Sequence, residues 1–144
     1  MAQVYTLFVV KDIPATVDFY VQAYGAEDPR VRNDSAGNPS HGEVYLFGHR
    51  IGFTPDVRPG SSDLPARVRA LAAKDSRGAG VALYVSLPSG EEFLDYYGRA
   101  RERGAKVLTE PEEQMMGGAR SFFALEDPNG YVLYVDGPLP TTPD

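Results

Sequence analysis

VYTLFVVKDIPATVDFYVQAYG, residues 4–25, and VALYVSLPSGEEFLDYYGRARERG, residues 81–104, state one plan twice. Each opens on an apolar run rich in Val, Leu and aromatic residues, as a half-buried strand requires. An acidic turn in the first copy and a Pro-Ser-Gly turn in the second lead into a helix. The helices carry Val17-Asp18-Phe19-Tyr20 and Leu94-Asp95-Tyr96-Tyr97, and end at Gly25 and Gly104. Sheet-like segments follow each unit. The second set closes on Phe122 to Leu125, the turn Asp127-Pro128-Asn129-Gly130, and Tyr131 to Val135. A repeat of about seventy residues implies a paired-module domain, because one half could not bury its apolar face alone.

Local signals set the expected boundaries. Strand one is read from Val4 to Val10, with Asp12 as N-cap and Pro14 in the first helical turn. Val17, Tyr20, Val21 and Tyr24 then share a helix face by i, i+3, i+4 spacing. Arg30 to Gly42 is polar and rich in turn formers, so it reads as mostly loop with a short strand near Val31. Glu43 to Phe47 and Arg50 to Thr54 form a hairpin through Gly48-His49, where a leading glycine suits a type II′ turn. Residues from about 63 to 72 can form a short linker helix. In the second module Ser89 and Glu92 make a capping box, and Phe93, Leu94, Tyr97 and Ala100 face the sheet. Val107 to Thr109 is a strand, Gln114 to Gly118 a Met-Gly loop, and the proline-bearing tail from Gly137 is loose.

The bulk numbers fit one domain over residues 1–144, with module one about 1–56, a linker about 57–79 and module two about 80–137. A net charge of −6 and a pI near 4.9 argue against non-specific binding to nucleic acid or an anionic membrane. The chain has no cysteine, which excludes disulfides, thiolate metal sites and a cysteine nucleophile. The run Val4–Val10 is too short for a signal peptide and no stretch is long enough to span a bilayer, so a cytoplasmic location is expected.

Two stretches, Val9-Val10-Lys11-Asp12 leading into Asp18-Phe19-Tyr20, and Arg120-Ser121-Phe122 followed by Asp127-Pro128-Asn129-Gly130, resemble the vicinal oxygen chelate superfamily. That group includes glyoxalase I, extradiol dioxygenases, fosfomycin-resistance enzymes and bleomycin-resistance proteins. The resemblance covers almost the whole chain. It implies an α+β fold of two βαβββ modules, whose curved mixed sheets surround a central small-molecule cavity. Function is then decided by the residues that point into the cavity.

In metal-using relatives the ligands come from inward positions on the first and last strand of each module. Carried onto this chain, those positions are Tyr5, Gly52, Gly80 and Tyr134. Divalent ions of this kind want imidazole or carboxylate, and glycine offers no side chain. The two histidines, His41 and His49, fall in or near loops of module one, where solvated histidines are common. The departure implies no metal and no cofactor, as in the bleomycin-resistance-like branch.

Period-two alternation from these positions predicts the cavity lining. It names Tyr5 and Leu7 on strand one, Glu43, Tyr45 and Phe47 with Arg50 and Gly52 on the hairpin, and Tyr84 and Tyr134 in module two. The family pattern adds Arg120 and Phe122, with Phe123 packing on a helix. Met115-Met116 beside Gly117-Gly118 make an adaptable lip. Two missing side chains, at Gly52 and Gly80, leave real space. Such a surface suits a flat aromatic ligand, although any one of these rings could instead fill the core.

The resulting expectation is a metal-independent protein that binds an aromatic, natural-product-like compound, with drug sequestration or self-resistance as its most specific form. The alternative is a cofactor-free isomerase, cyclase or lyase using Glu43 as acid or base. The commoner role for such a residue, and the one preferred for Glu43, is a strand-end salt bridge with Arg50 or Arg120. A non-catalytic binder is preferred over the enzyme, and a pure interaction module with a filled cavity is the third reading. Open sheet edges and the family resemblance imply a homodimer.

Overall fold

The computed structural model describes residues 2–55, 81–115 and 119–138, and for residues 112–115, 119 and 120 it describes the backbone only. Two helices and eight strands in these spans form two four-stranded mixed sheets, an α+β fold. Module one runs β1 (Thr6–Val10), α1 (Ile13–Tyr24), β2 (Glu27–Asn33), β3 (Pro39–Leu46) and β4 (His49–Pro55), in sheet order β1-β4-β3-β2. Module two runs β5 (Ala82–Ser86), α2 (Gly90–Glu102), β6 (Lys106–Met115), β7 (Ala119–Glu126) and β8 (Val132–Pro138), in order β5-β8-β7-β6. In each sheet the first strand pairs in parallel with the last, and the remaining pairs are antiparallel.

Capping defines both helices. The Asp12 carboxylate accepts the Ala15 N–H at 3.0 Å, Pro14 sits in the first turn, and Gly25 ends α1 at φ 75°. The Ser89 hydroxyl accepts the Glu92 N–H at 3.1 Å, one half of the expected capping box. α1 buries Ile13, Thr16, Val17, Tyr20, Ala23 and Tyr24 against Phe8, Val10, Val44, Ile51 and Phe53. α2 buries Phe93, Tyr96 and Ala100 over Phe123, Leu125, Leu133 and Val135. Each such large apolar side chain contributes about 1.5–3 kcal/mol of transfer free energy.

The modules join through aromatic rings and their hydroxyls. Phe8 stacks on Tyr131 at 3.9 Å between centroids. Tyr20 donates to Asp127 Oδ2 at 2.7 Å, and Tyr96 donates to the Tyr24 carbonyl at 2.8 Å. The Asp127-Pro128-Asn129-Gly130 turn is held from within, Asp127 Oδ1 accepting the N–H groups of Asn129 and Tyr131.

Several local expectations are corrected. The segment read as mostly loop is a hairpin: β2 and β3 pair across a turn in which Asp34 Oδ1 accepts from Ala36 and Asn38 and Gly37 takes φ 85°. The β3–β4 turn is Phe47-Gly48, not Gly48-His49, because Leu46 pairs with His49 and both turn residues have positive φ, as a type I′ turn needs. On α2 it is Tyr96 that is buried while Leu94 is exposed, since the face follows 93, 96 and 100. Gly137 is not loose tail: it lies in β8 under Phe93, where a Cβ would come within 2.8 Å of the Phe93 Cβ. The linker helix lies outside the described residues. Among the described residues no helix is long and apolar enough to cross a membrane.

Candidate functional site

Alternation along each strand divides every sheet into a face against its helix and a face turned away from it. In module one, Phe8, Val10, Ile51 and Phe53 lie against α1. The other face carries Tyr5 and Leu7, then Arg50 and Gly52 of β4, opposite Tyr45 and Glu43 of β3 in register. In module two it carries Tyr84 of β5, Tyr134 and Asp136 of β8, and Phe122 of β7, with Tyr84 opposite Tyr134 and Phe122 opposite Asp136. Phe123 packs on the helix side against Phe93 and Tyr97, at 4.9 and 5.1 Å between centroids.

The module-one face is built around one buried carboxylate. Arg50 donates from Nε at 2.9 Å and from Nη2 at 2.7 Å, both to Glu43 Oε2. Arg30 Nε stands 3.9 Å from Oε1, and His41 Nε2 stands 3.8 Å from Oε2. The Arg50 guanidinium also lies over the Tyr5 ring, 4.2 Å from its centroid. The hydrogen bond to Glu43 pushes the Arg50 pKa still further up, so this side chain is a permanent cation. Proton abstraction by Glu43 would first have to break a charge-assisted pair, and the geometry is that of the salt-bridge alternative.

Gly52 does not leave the space expected of it. It is buried, and a Cβ there would meet Leu7 Cδ1 at 3.2 Å, Tyr5 Cε2 at 3.4 Å and His41 Cε1 at 3.5 Å. Neighbouring side chains fold over the glycine and take up the volume that a side chain would fill. The exposed surface on this face of the module is therefore the outer side of Tyr5, Leu7 and Arg50, not a pit at Gly52.

The module-two face is an aromatic pair over an acid. The Tyr84 and Tyr134 rings are 6.4 Å apart and inclined by 26°. Tyr84 donates its phenol proton to Asp136 Oδ2 at 2.5 Å, and Asp136 is buried. A cavity of about 290 Å³ adjoins Tyr84, lined by Leu46, Phe47, His49 and Ile51 of module one and by Leu83 and Val85 of module two.

Phe47 lines the cavity beside Tyr84, but not as an inward strand residue. As a turn residue with φ 49° it escapes the strand alternation, and its ring reaches Tyr96 of α2 at 5.3 Å. Met115 ends β6 and Arg120 lies in β7, each with only its backbone described; Met116 and Gly80 lie outside the described residues. Sequence reasoning left three residues of these clusters off the sheet faces: Arg30, His41 and Asp136. Period two from Glu43 reaches His41, and from Tyr134 it reaches Asp136. The reading of 30–42 as loop hid the first, and ending the last strand at Val135 hid the second.

A divalent metal does not fit this donor set. Gly52 has no donor, and Tyr5 lies under a guanidinium whose charge opposes a second cation. The imidazole and carboxylate of His41 and Glu43 are neighbours, but Glu43 is held by Arg50. Among the described residues no three His, Asp or Glu side chains converge.

Residues 2–135 match the Glyoxalase/Bleomycin resistance protein/Dioxygenase superfamily, and the chain belongs to it. No curated protein matches the sequence. Solved structures share the fold at low identity. One is a glyoxalase/bleomycin resistance protein/dioxygenase family enzyme from Burkholderia phytofirmans PsJN, 20% identical with a TM-score of 0.68, covering 94% of this chain and 97% of its own. A glyoxalase/bleomycin resistance protein/dioxygenase from Alicyclobacillus acidocaldarius is 15% identical with a TM-score of 0.64, covering 96% and 92%. TioX from Micromonospora sp. ML1 is 13% identical with a TM-score of 0.60, covering 99% and 100%.

Proposed function

We propose that this protein binds a flat aromatic small molecule without a metal and holds it rather than converting it, with drug sequestration as the specific form of that task. One observation carries the reading. Four apolar side chains, Tyr5, Leu7, Tyr84 and Tyr134, remain 41%, 46%, 61% and 37% exposed on sheet faces whose opposite sides are sealed by helices. Exposed rings on rigid strands give stacking area at little entropic cost, and Arg50 and Asp136 supply polar groups that orient a ligand. The donor set described above supports metal independence by its chemistry.

Native mass spectrometry of protein purified from its producing cells tests the binding, the expected result being one retained aromatic compound per site. Elemental analysis after tag-free purification tests the metal, and about one transition-metal ion per chain, lost on mutating Tyr5 or Tyr134, would overturn that part. The reading includes a second copy of the chain, because β2, β5 and β6 are sheet edges. Light scattering giving a monomer mass at micromolar concentration would remove it.

A cofactor-free enzyme is the second reading, and the short Tyr84–Asp136 bond favours it over any role for Glu43. A phenol hydrogen-bonded to a buried carboxylate is a proton-transfer pair. Product formation from the retained compound separates the two readings.

A further inference from the structure

We propose that a second small-molecule site lies on the helix side of the fold, between the β3–β4 turn and the N-terminal half of α2. It takes a ligand that joins an apolar ring system to a protonated amine. The cavity there measures about 730 Å³, within the range of pockets that hold drug-sized molecules. Phe47, Leu87 and Tyr96 form its apolar part; Glu92, Asp95 and Arg99 form its polar part. Phe47 also lines the small cavity beside Tyr84, while the other five belong to neither the Tyr5–Arg50–Glu43 cluster nor the Tyr84–Tyr134–Asp136 cluster.

Phe47 is the first pointer. The type I′ turn it shares with Gly48 favours Asn-Gly, because both residues must adopt positive φ. Phe47 holds φ 49°, a conformation that a bulky side chain adopts only with strain. Burial does not repay that strain, since the ring is 54% exposed. An unfavourable backbone that presents a solvent-facing ring over a cavity is a feature of ligand clamps. The ring stands 5.3 Å from Tyr96, tilted by 50°, and both residues line the cavity.

Charge selects the ligand. Glu92 and Asp95 stand three residues apart on α2, and Arg99 follows Asp95 by four, the spacing of an ion pair along a helix. Two carboxylates against one guanidinium leave a net negative wall, within a chain of net charge −6. The exposed aromatic face of Phe47 attracts an ammonium group as well. A carboxylate-bearing ligand would meet repulsion from the same wall.

The test uses the full-length protein and a matched series: 2-(1-naphthyl)ethylamine, 1-naphthylethanol and 1-naphthylacetate, titrated by calorimetry and by amide chemical shifts. The amine should bind at least about tenfold tighter than the carboxylate, with shifts at Phe47, Gly48, Leu87 and Asp95. Substituting Glu92→Gln together with Asp95→Asn, both exposed on the helix, should weaken the amine about tenfold and erase the preference. Phe47→Asn should raise the melting temperature by relieving the turn, yet weaken the amine about fivefold or more. Equal affinity for amine and carboxylate overturns the proposal, as does full affinity in the carboxamide double variant or in Phe47→Asn. No binding at millimolar probe overturns it too. Shifts confined to Tyr5, Tyr84 and Tyr134 would overturn it while supporting the sheet-face site.

Discussion

The phenol of Tyr131 stands in for a neighbouring strand beside Val9: it accepts the Val9 N–H at 3.0 Å and donates to the Val9 carbonyl at 2.8 Å. β1 is an edge strand, and its outer backbone groups would otherwise be open for pairing. The ring itself stacks on Phe8, so one side chain of module two closes both the edge and the core of module one.

Tyr131→Phe keeps that stack and removes the hydroxyl. Two backbone groups of a buried strand residue then lose a partner, and stability should fall by about 1–3 kcal/mol. Chemical denaturation measures it. A loss under about 0.5 kcal/mol would show that water replaces the phenol.

Two glycines should respond in opposite directions to alanine. A Cβ on Gly42 would lie 2.6 Å from Ile13 Cγ2 and 3.0 Å from Val17 Cγ2, so α1 would have to lift from β3. Gly42→Ala should cost about 1–3 kcal/mol. Gly98 lies inside α2, where an added Cβ would have nothing within 4 Å, and Gly98→Ala should stabilise by about 0.5–1 kcal/mol. Thermal melts of the two variants give the signs directly.

The paired modules, both helices and the Asp127 turn were legible because each has a local cause: a period of two or 3.6, a cap, a turn formed within four residues. What stayed hidden depends on register. Arg30 reaches Glu43 only because β2 pairs with β3, and the polar composition of residues 30–42 conceals a strand that is exposed along its length. Phe47 looks like an inward strand residue until the pairing of Leu46 with His49 places it in the turn. Gly52 looks like vacant space until Tyr5 and Leu7 close over it. Alternation assigns a face, but it does not say how far a neighbour's ring leans across that face.

Asp127 sets a pH dependence. Burial pushes its carboxyl pKa up, and hydrogen bonds from Tyr20 and the turn amides pull it down without cancelling the shift. The folded chain therefore holds this proton to higher pH than the unfolded chain. That stabilising contribution is fully present below the ordinary value of 3.8 and is lost as pH rises through the raised folded value. Asp127→Asn does not titrate and keeps an acceptor for the turn amides. The melting temperature of the wild type minus that of the variant should be highest near about pH 3 and should decline toward neutrality. A difference that rises over the same interval would mean that the hydrogen bonds outweigh burial.

The two tyrosines of the aromatic pair should separate binding from folding. Tyr134 is 37% exposed, and its ring abuts Tyr84 rather than the core beneath. Tyr134→Ala should therefore cost at most about 1 kcal/mol of stability while weakening an aromatic ligand by roughly 5- to 150-fold. Tyr84→Phe should do the reverse. It keeps the stacking ring but takes the hydroxyl donor at 2.5 Å from Asp136, a carboxylate that is only 8% exposed. Stability should drop by about 1–3 kcal/mol, with affinity for a purely stacking ligand little changed. Tyrosine emission reports binding without interference, since the chain has no tryptophan. A several-kcal/mol loss in Tyr134→Ala with affinity intact would make that ring part of the core and leave the module-two face without its ligand wall.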